Sequence, residues 1–191
     1  MAKIIKMSAE HLKERLIEGD VLRNPFGLGP ETEMTIRIKK ASLEEAEQIA
    51  LMVKRLTDEI IDAIGEKPFN IDLAETSVRC RRFLEQELYA VYRAIDSESD
   101  EPFGFIALCE SHALYAEGAF GIIQELYVDP AHRSKGIGGK LVKAAMDHAR
   151  KQGWKRLEVC TPPLPQFAGT VHFYERQRFE VTGGRKMKVL L

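Results

Sequence analysis

The sequence predicts a mixed α/β (α+β) domain over residues 34–191, preceded by a helical extension and connector over residues 1–33. Three observations carry that prediction. The run Gly121-Ile-Ile-Gln-Glu-Leu-Tyr-Val128, rich in β-branched and aromatic residues, passes directly into a basic, glycine-containing loop and then into an amphipathic helical pattern. Two helical patterns stand ahead of it in the chain, and two strand-like runs joined by a polar turn lie between. A further strand and a short helix follow, so the elements read β-α-α-β-β-β-α-β-α-β.

Within residues 1–33, Ser8 is placed to cap a helix running to Gly19, with Ile5, Leu12, Leu16 and Ile17 as its apolar stripe, and Asn24-Pro-Phe-Gly-Leu-Gly-Pro30 is a turn-rich connector. The first strand of the domain is expected over residues 35–39. Ser42, with Glu45 three residues on, forms a capping box for a helix to about Ile61, and Ala46, Ile49, Val53, Leu56 and Ile60 make its apolar face. A second helix is expected over residues 72–87. Strands over 88–95 and 102–110 follow, joined by Asp96-Ser-Glu-Ser-Asp-Glu101.

The most informative stretch is Val128-Asp-Pro-Ala-His-Arg-Ser-Lys-Gly-Ile-Gly-Gly-Lys-Leu141. Pro130 cannot donate to a ladder, so the strand stops there. Behind it, Ile137, Leu141, Ala145 and Ala149 share one helical stripe, Lys143, Asp147, Arg150 and Lys151 point elsewhere, and Gly153 closes the helix. Residues 133–138 then present successive main-chain N–H groups at a helix N-terminus, where unpaired donors and the macrodipole favour an anion. Gly136 and Gly138 leave room for its approach. An ordinary strand-to-helix turn has the same outline, so spacing has to discriminate. A dinucleotide fingerprint, G-x-G-x-x-G, needs a third glycine where Leu141 stands; a P-loop needs an earlier glycine and a hydroxyl that Gly139-Lys140-Leu141 lacks.

What fits is R-x-x-G-x-G, here Arg133-Ser-Lys-Gly136-Ile-Gly138, preceded by Leu-Tyr-Val-x-Pro. This resembles the acetyl-CoA pyrophosphate loop of the GNAT superfamily of N-acetyltransferases. Gly169-Thr-Val-His-Phe-Tyr-Glu-Arg-Gln-Arg-Phe179 resembles the same family's A-x-x-x-Y-E-x-x-G-F ending, with Thr170 where alanine is usual and Arg178 where glycine is usual. Phe167 stands where many members have asparagine, and the three prolines of residues 161–167 make that loop longer and stiffer than usual. The resemblance implies a mostly antiparallel central sheet with splayed strands, flanked by helices on both faces, and acetyl-CoA as cosubstrate. It implies that Leu126, Tyr127 and Val128 offer a strand edge to the pantetheine arm. Arg133, Ser134, Lys135, Gly136, Ile137, Gly138, Gly139 and Lys140 would form the pyrophosphate loop, and Tyr174 would be the proton donor to the departing thiolate.

Acetyl transfer from a thioester needs a neutral amine, a polarised carbonyl and a proton for sulfur, but no covalent nucleophile on the protein. Cys160 therefore reads as a packing cysteine. Alkyl amines are protonated near neutrality, so a base is required, directly or through water. Glu158, on the strand over 155–161, matches the position of the catalytic glutamate in the ribosomal-protein acetyltransferases of the superfamily, and Glu125 is the runner-up; either reads equally as a solvated strand-face carboxylate. The region 56–75 carries Asp58, Glu59, Asp62, Glu66, Asp72 and Glu75, which suits a cationic amine, although Lys54, Arg55 and Lys67 dilute the charge and a solvated helix face has the same composition. Phe69, Tyr115 and Phe167 serve either an acceptor pocket or the core. The acceptor is a small-molecule or peptide amine of unresolved identity.

A chain of 191 residues with 45% hydrophobic content is long enough for a full core. A net charge of −1 gives no basic field for nucleic acid. No run suits a membrane span or a signal peptide, and Cys80, Cys109 and Cys160 are odd in number and widely spaced, which together point to a reducing, cytoplasmic setting. The five histidines lack metal-ligand spacing, so no metal is expected, and His132 and His172 read as solvated or structural. A homodimer is an expectation drawn from how often the family pairs. The alternative to an enzyme is a non-catalytic acyl-CoA-binding regulatory module, against which the retained Tyr174 argues.

Overall fold

The computed structural model describes residues 35–182 and 186–189, so the expected helix of the N-terminal extension lies outside the described residues. Five strands form one sheet in chain order: β1 (Ile36–Lys40), β2 (Tyr89–Asp96), β3 (Pro102–Ala113), β4 (Gly118–Val128) and β5 (Leu157–Val159). The first four are antiparallel and β5 joins β4 in parallel. Four helices accompany them: α1 (Ala46–Ile64), α2 (Leu73–Glu85), α3 (Ile137–Lys151) and α4 (Ala168–Arg176).

The local signals are those of the sequence. Ser42 and Glu45 make the reciprocal capping box, here around a 3-10 turn, Leu43–Glu45, that leads into α1. Gly65 ends α1 in a left-handed conformation, φ 70°, with its N–H bonded to the Ile61 carbonyl. Asp72 caps α2 by accepting from the Glu75 amide at 2.9 Å. Two expectations change. The strand expected over 155–161 is only three residues long, and residues 181–182 and 186–189 adopt no regular structure where a closing strand was expected. The proline-rich segment that follows β5 explains its early end, because a proline offers no N–H to a ladder.

Side chains alternate across the sheet, giving two cores. On one face Ala94, Ile106, Leu108 and Ile123 pack against Ile137, Leu141, Val142 and Ala145 of α3 and Tyr174 of α4. On the other, Val91, Phe105, Ala107 and Tyr127 pack against Ile49 and Met52 of α1, with Cys80 and Leu84 of α2 around them. The second face also holds a buried charge: Arg93 is 2% exposed and is paired with Glu45, and its other nitrogen donates to Gln48 Oε1 at 3.0 Å. Burial opposes the Glu45 charge, but hydrogen bonds from the Ser42 amide and hydroxyl and the nearby Arg93 outweigh it and hold the carboxyl below its ordinary value.

At Gly121 the indole of Trp154 lies across β4, anchored by its Nε1 donating to Glu110 Oε2 at 2.7 Å. A Cβ at Gly121 would meet that ring at 2.4 Å and a Leu157 methyl at 2.5 Å. Gly121→Ala is therefore expected to destabilise the fold by about 1–3 kcal/mol through overpacking. Urea unfolding checks it, and an unchanged midpoint would mean that Trp154 does not sit there.

Candidate active site

β4 has two edges with different fates. Along β3 it is paired from Gly118 to Val128, apart from a bulge: Ala107 faces Glu125 and Leu108 faces Ile123, so Gln124 is the extra residue. Along β5 it is paired only at Gly121, Ile122 and Ile123. Beyond Ile123 no strand among the described residues lies beside that edge. The Tyr127 carbonyl lies 2.8 Å from where a Gly104 Cβ would be, hence toward β3, and the Asp129 amide bonds the Phe103 carbonyl on the same side. Alternation then turns the main-chain groups of Leu126 and Val128 to the open edge. Of the three residues expected there, Tyr127 contributes instead a buried ring, 3% exposed, to the α1/α2 face.

Glu125 lies two residues past the last residue paired with β5. Burial pushes its carboxyl up to about 7, and its Oε2 is buried with no hydrogen-bond partner. Cys80 of α2 and Tyr89 of β2 are close enough to feel it: burial foremost, with a contribution from Glu125, raises the Cys80 thiol to about 11 and lifts the Tyr89 phenol far above its ordinary value. The sequence placed this glutamate second. Nothing in a strand's local pattern reveals that a bulge and two helices will bury it.

Tyr174 sits on the opposite side of the sheet, 6% exposed, its ring edge-on to Phe173 (5.1 Å) and Phe179 (5.3 Å). Burial raises its phenol far above the ordinary value, so it carries its proton at neutral pH. Its hydroxyl has no hydrogen-bond partner among the described residues.

The turn between β4 and α3 gathers unpaired main-chain donors. Asp129 accepts from the Ala131 amide at 3.0 Å and opens a 3-10 turn, Pro130–His132. Ser134 and Gly136 are both left-handed, φ 62° and 77°, which aligns successive N–H groups into a concave nest. Ser134, Lys135 and Gly136 are exposed, and their N–H groups meet no acceptor among the described residues. Neither a side-chain cap nor an acidic residue occupies the first turn of α3, so its N-terminal donors are open to an anion.

Two of the loop residues have other tasks. The Arg133 side chain is directed back to the fold: Nε donates to the Val128 carbonyl at 2.8 Å and one terminal nitrogen to both oxygens of Glu59, at 2.6 and 2.8 Å. At Gly138 a Cβ would meet the Phe173 ring at 3.0 Å, so this glycine admits α4 against the first turn of α3. That close approach is not readable from the motif.

Other expected participants are placed apart. Glu158 lies beside Ile122 on β5, 44% exposed, with Arg156 at 3.0 Å; Arg156 in turn stacks on Tyr115 and Phe120. Cys160 is exposed. Of the acidic set, Asp58 pairs with Lys54, Glu59 with Arg133, Glu75 with Arg79, and Asp72 is a cap. His132 stacks on Phe103 at 4.8 Å, and His172 is exposed. Among the described residues, no cluster of His, Cys, Asp and Glu is placed to hold a metal ion, and no helix is long and apolar enough to cross a membrane.

A mixed sheet whose last two strands part beside an uncapped helix N-terminus and a buried phenol is the arrangement of an acyltransferase, and similarity to known proteins shows that class. Residues 56–179 match the Acetyltransferase (GNAT) family, to which this chain belongs. An uncharacterised N-acetyltransferase of Methanocaldococcus jannaschii is 32% identical over 81 residues, 42% of this chain and 35% of its own length, so the chain spans little more than a third of that relative. The peptidyl-lysine N-acetyltransferase YjaB of Salmonella typhimurium is 28% identical over 150 residues, 78% of this chain and 87% of the relative. The crystal structure of a ribosomal-protein-alanine N-acetyltransferase from Brucella melitensis biovar Abortus 2308 superposes with a TM-score of 0.60 at 17% identity, over 82% of this chain and 100% of that one, which shows a shared fold.

Because the folded state binds the Glu125 proton more tightly than the unfolded chain, the stability this group contributes is complete below about pH 4.5 and is lost as pH rises through about 7. Glu125→Gln is expected to lack that fall while keeping the slopes due to other groups. Urea unfolding of both proteins across this interval checks it; parallel curves would show that the carboxyl is not buried in its protonated form.

Proposed function

We propose that this chain moves the acetyl group of acetyl-CoA to a primary amine by direct attack in a ternary complex. The observation that carries the reading is the pair of groups about the parting of β4 and β5: on one side a buried carboxyl pushed up to about 7 without a partner at Oε2, on the other a buried phenol that stays protonated. Burial raises both groups, and titratable side chains so strongly perturbed beside an open strand edge are a common mark of functional sites.

Acetyl-CoA supplies an already activated thioester. The main-chain donors of residues 134–138, with Gly139 and Lys140 behind them, hold its pyrophosphate, and the open edge at Leu126 and Val128 pairs with the pantetheine amides as an added strand would. Glu125 takes the proton of the incoming ammonium, directly or through water, and releases a free amine. Nitrogen attacks the thioester carbon, the adduct collapses with the C–S electrons passing to sulfur, and Tyr174 gives its proton to the thiolate. The second proton, shed by the acylated nitrogen, returns through water to the phenolate, while Glu125 releases the first to solvent. Glu158 is the less suited base, being exposed and already facing Arg156. A carboxyl near 7 is half ionised at neutral pH, where an ordinary surface glutamate is fully ionised but a far weaker base.

Tyr174→Phe keeps the ring and removes the proton. Turnover should fall toward the range of about 10²–10⁴-fold typical of a lost general acid, and toward its lower end because a thiol is a fairly acidic leaving group. Thiol release with an amine panel, alongside acetyl-CoA binding, checks this. Wild-type turnover would remove the residue from the mechanism, and joint loss of binding and turnover would make it structural. For the base, the wild-type rate should climb with pH through about 7, and Glu125→Gln should lose both rate and that inflection. A mutant profile with the same inflection would place the titration elsewhere.

A further inference from the structure

The anion-binding turn is tied to α1 by two crossed charge pairs. Glu59 of α1 holds Arg133 at 2.6 Å, and Arg55, one helical turn earlier, lies 3.6 Å from Asp129. The turn thus carries its anion first and its cation second, and α1 carries them in the opposite order, so neither segment can slide by a turn without bringing like charges together. Between them the Arg133 guanidinium lies over the Tyr127 ring, 5.9 Å from its centroid.

We propose that Glu59 is a positioning residue for the acetyl donor: through Arg133 it fixes the start of the anion-binding turn to α1, so that the donors of residues 134–138 are set before any ligand arrives. The inference rests on the donor assignment made above. Three features support it. Ser134 holds a left-handed conformation with a Cβ, which is strained and persists only where neighbours enforce it. The residue just before it is the one with a multiply bonded side chain. That side chain is also bonded to the Val128 carbonyl on the open edge, so one guanidinium ties α1, the end of β4 and the turn together. Were Glu59 instead a rival to the ligand for Arg133, its removal would free the guanidinium and tighten binding, so the two roles differ in sign.

The test is acetyl-CoA affinity by calorimetry, with steady-state kinetics, in the wild type, Glu59→Gln and Arg55→Gln. An exposed pair is worth about 0.2–1 kcal/mol, so Glu59→Gln should raise Kd and KM for acetyl-CoA up to about fivefold. Turnover at saturating donor and the KM for the amine should stay at wild-type values, which a general loosening of the fold would not allow. Glu59→Asp should fall between, Arg55→Gln should show a smaller rise, and raised salt should shrink every difference by screening the pairs. Equal or tighter acetyl-CoA binding by a folded Glu59→Gln, or a matching loss in turnover, overturns the positioning role while leaving the donor assignment intact. A wild type that binds no acetyl-CoA overturns both.

Discussion

β4 has two edges to satisfy and only three residues of β5 with which to satisfy one of them. The other features of the site follow from that shortage. Since the β3 edge is paired along its length, the sheet cannot close by shifting β4, and the stretch after Ile123 keeps an edge without a strand partner, with the Val128 carbonyl bonded instead to Arg133. In most proteins such an edge invites aggregation. Here it leads into the turn before α3, whose N-terminus is itself a set of unpaired donors.

Charge is buried in two ways on the α1/α2 face. Arg93 is enclosed with its partners, and its charge is answered by the Glu45 carboxylate and the Gln48 amide oxygen. Glu125 is enclosed without an answering cation, and its carboxyl retains a proton to about pH 7. The first arrangement fastens α1 to the middle of the sheet. The second accepts a loss of stability near neutrality, a common accompaniment of functional sites, and leaves a carboxyl that titrates near 7.

Much of this was legible in the chain. The stripe of Ile137, Leu141, Ala145 and Ala149 is buried as its spacing requires, the capping box and the Asp72 cap form, and the left-handed Gly136 sits where the turn needs it. These are local signals, set by neighbours within a turn or two. The bulge at Gln124, the burial of Glu125, the Glu59–Arg133 pair and the approach of Phe173 to Gly138 depend on contacts between residues far apart in sequence. Glu158 drew attention by its place in a motif, yet its exposure follows from how short β5 becomes. The closing strand was read from element order alone and has no pairing among the described residues.

The contact between Phe173 and the first turn of α3 makes Gly138 a hinge pin between two functions. Phe173 precedes Tyr174 on α4, so one aromatic ring and one peptide unit link the first turn of α3 to the phenol, with no loop between them. The spacing between nest and phenol is therefore set by packed side chains, and a change of ring at Phe173 would alter both ends at once.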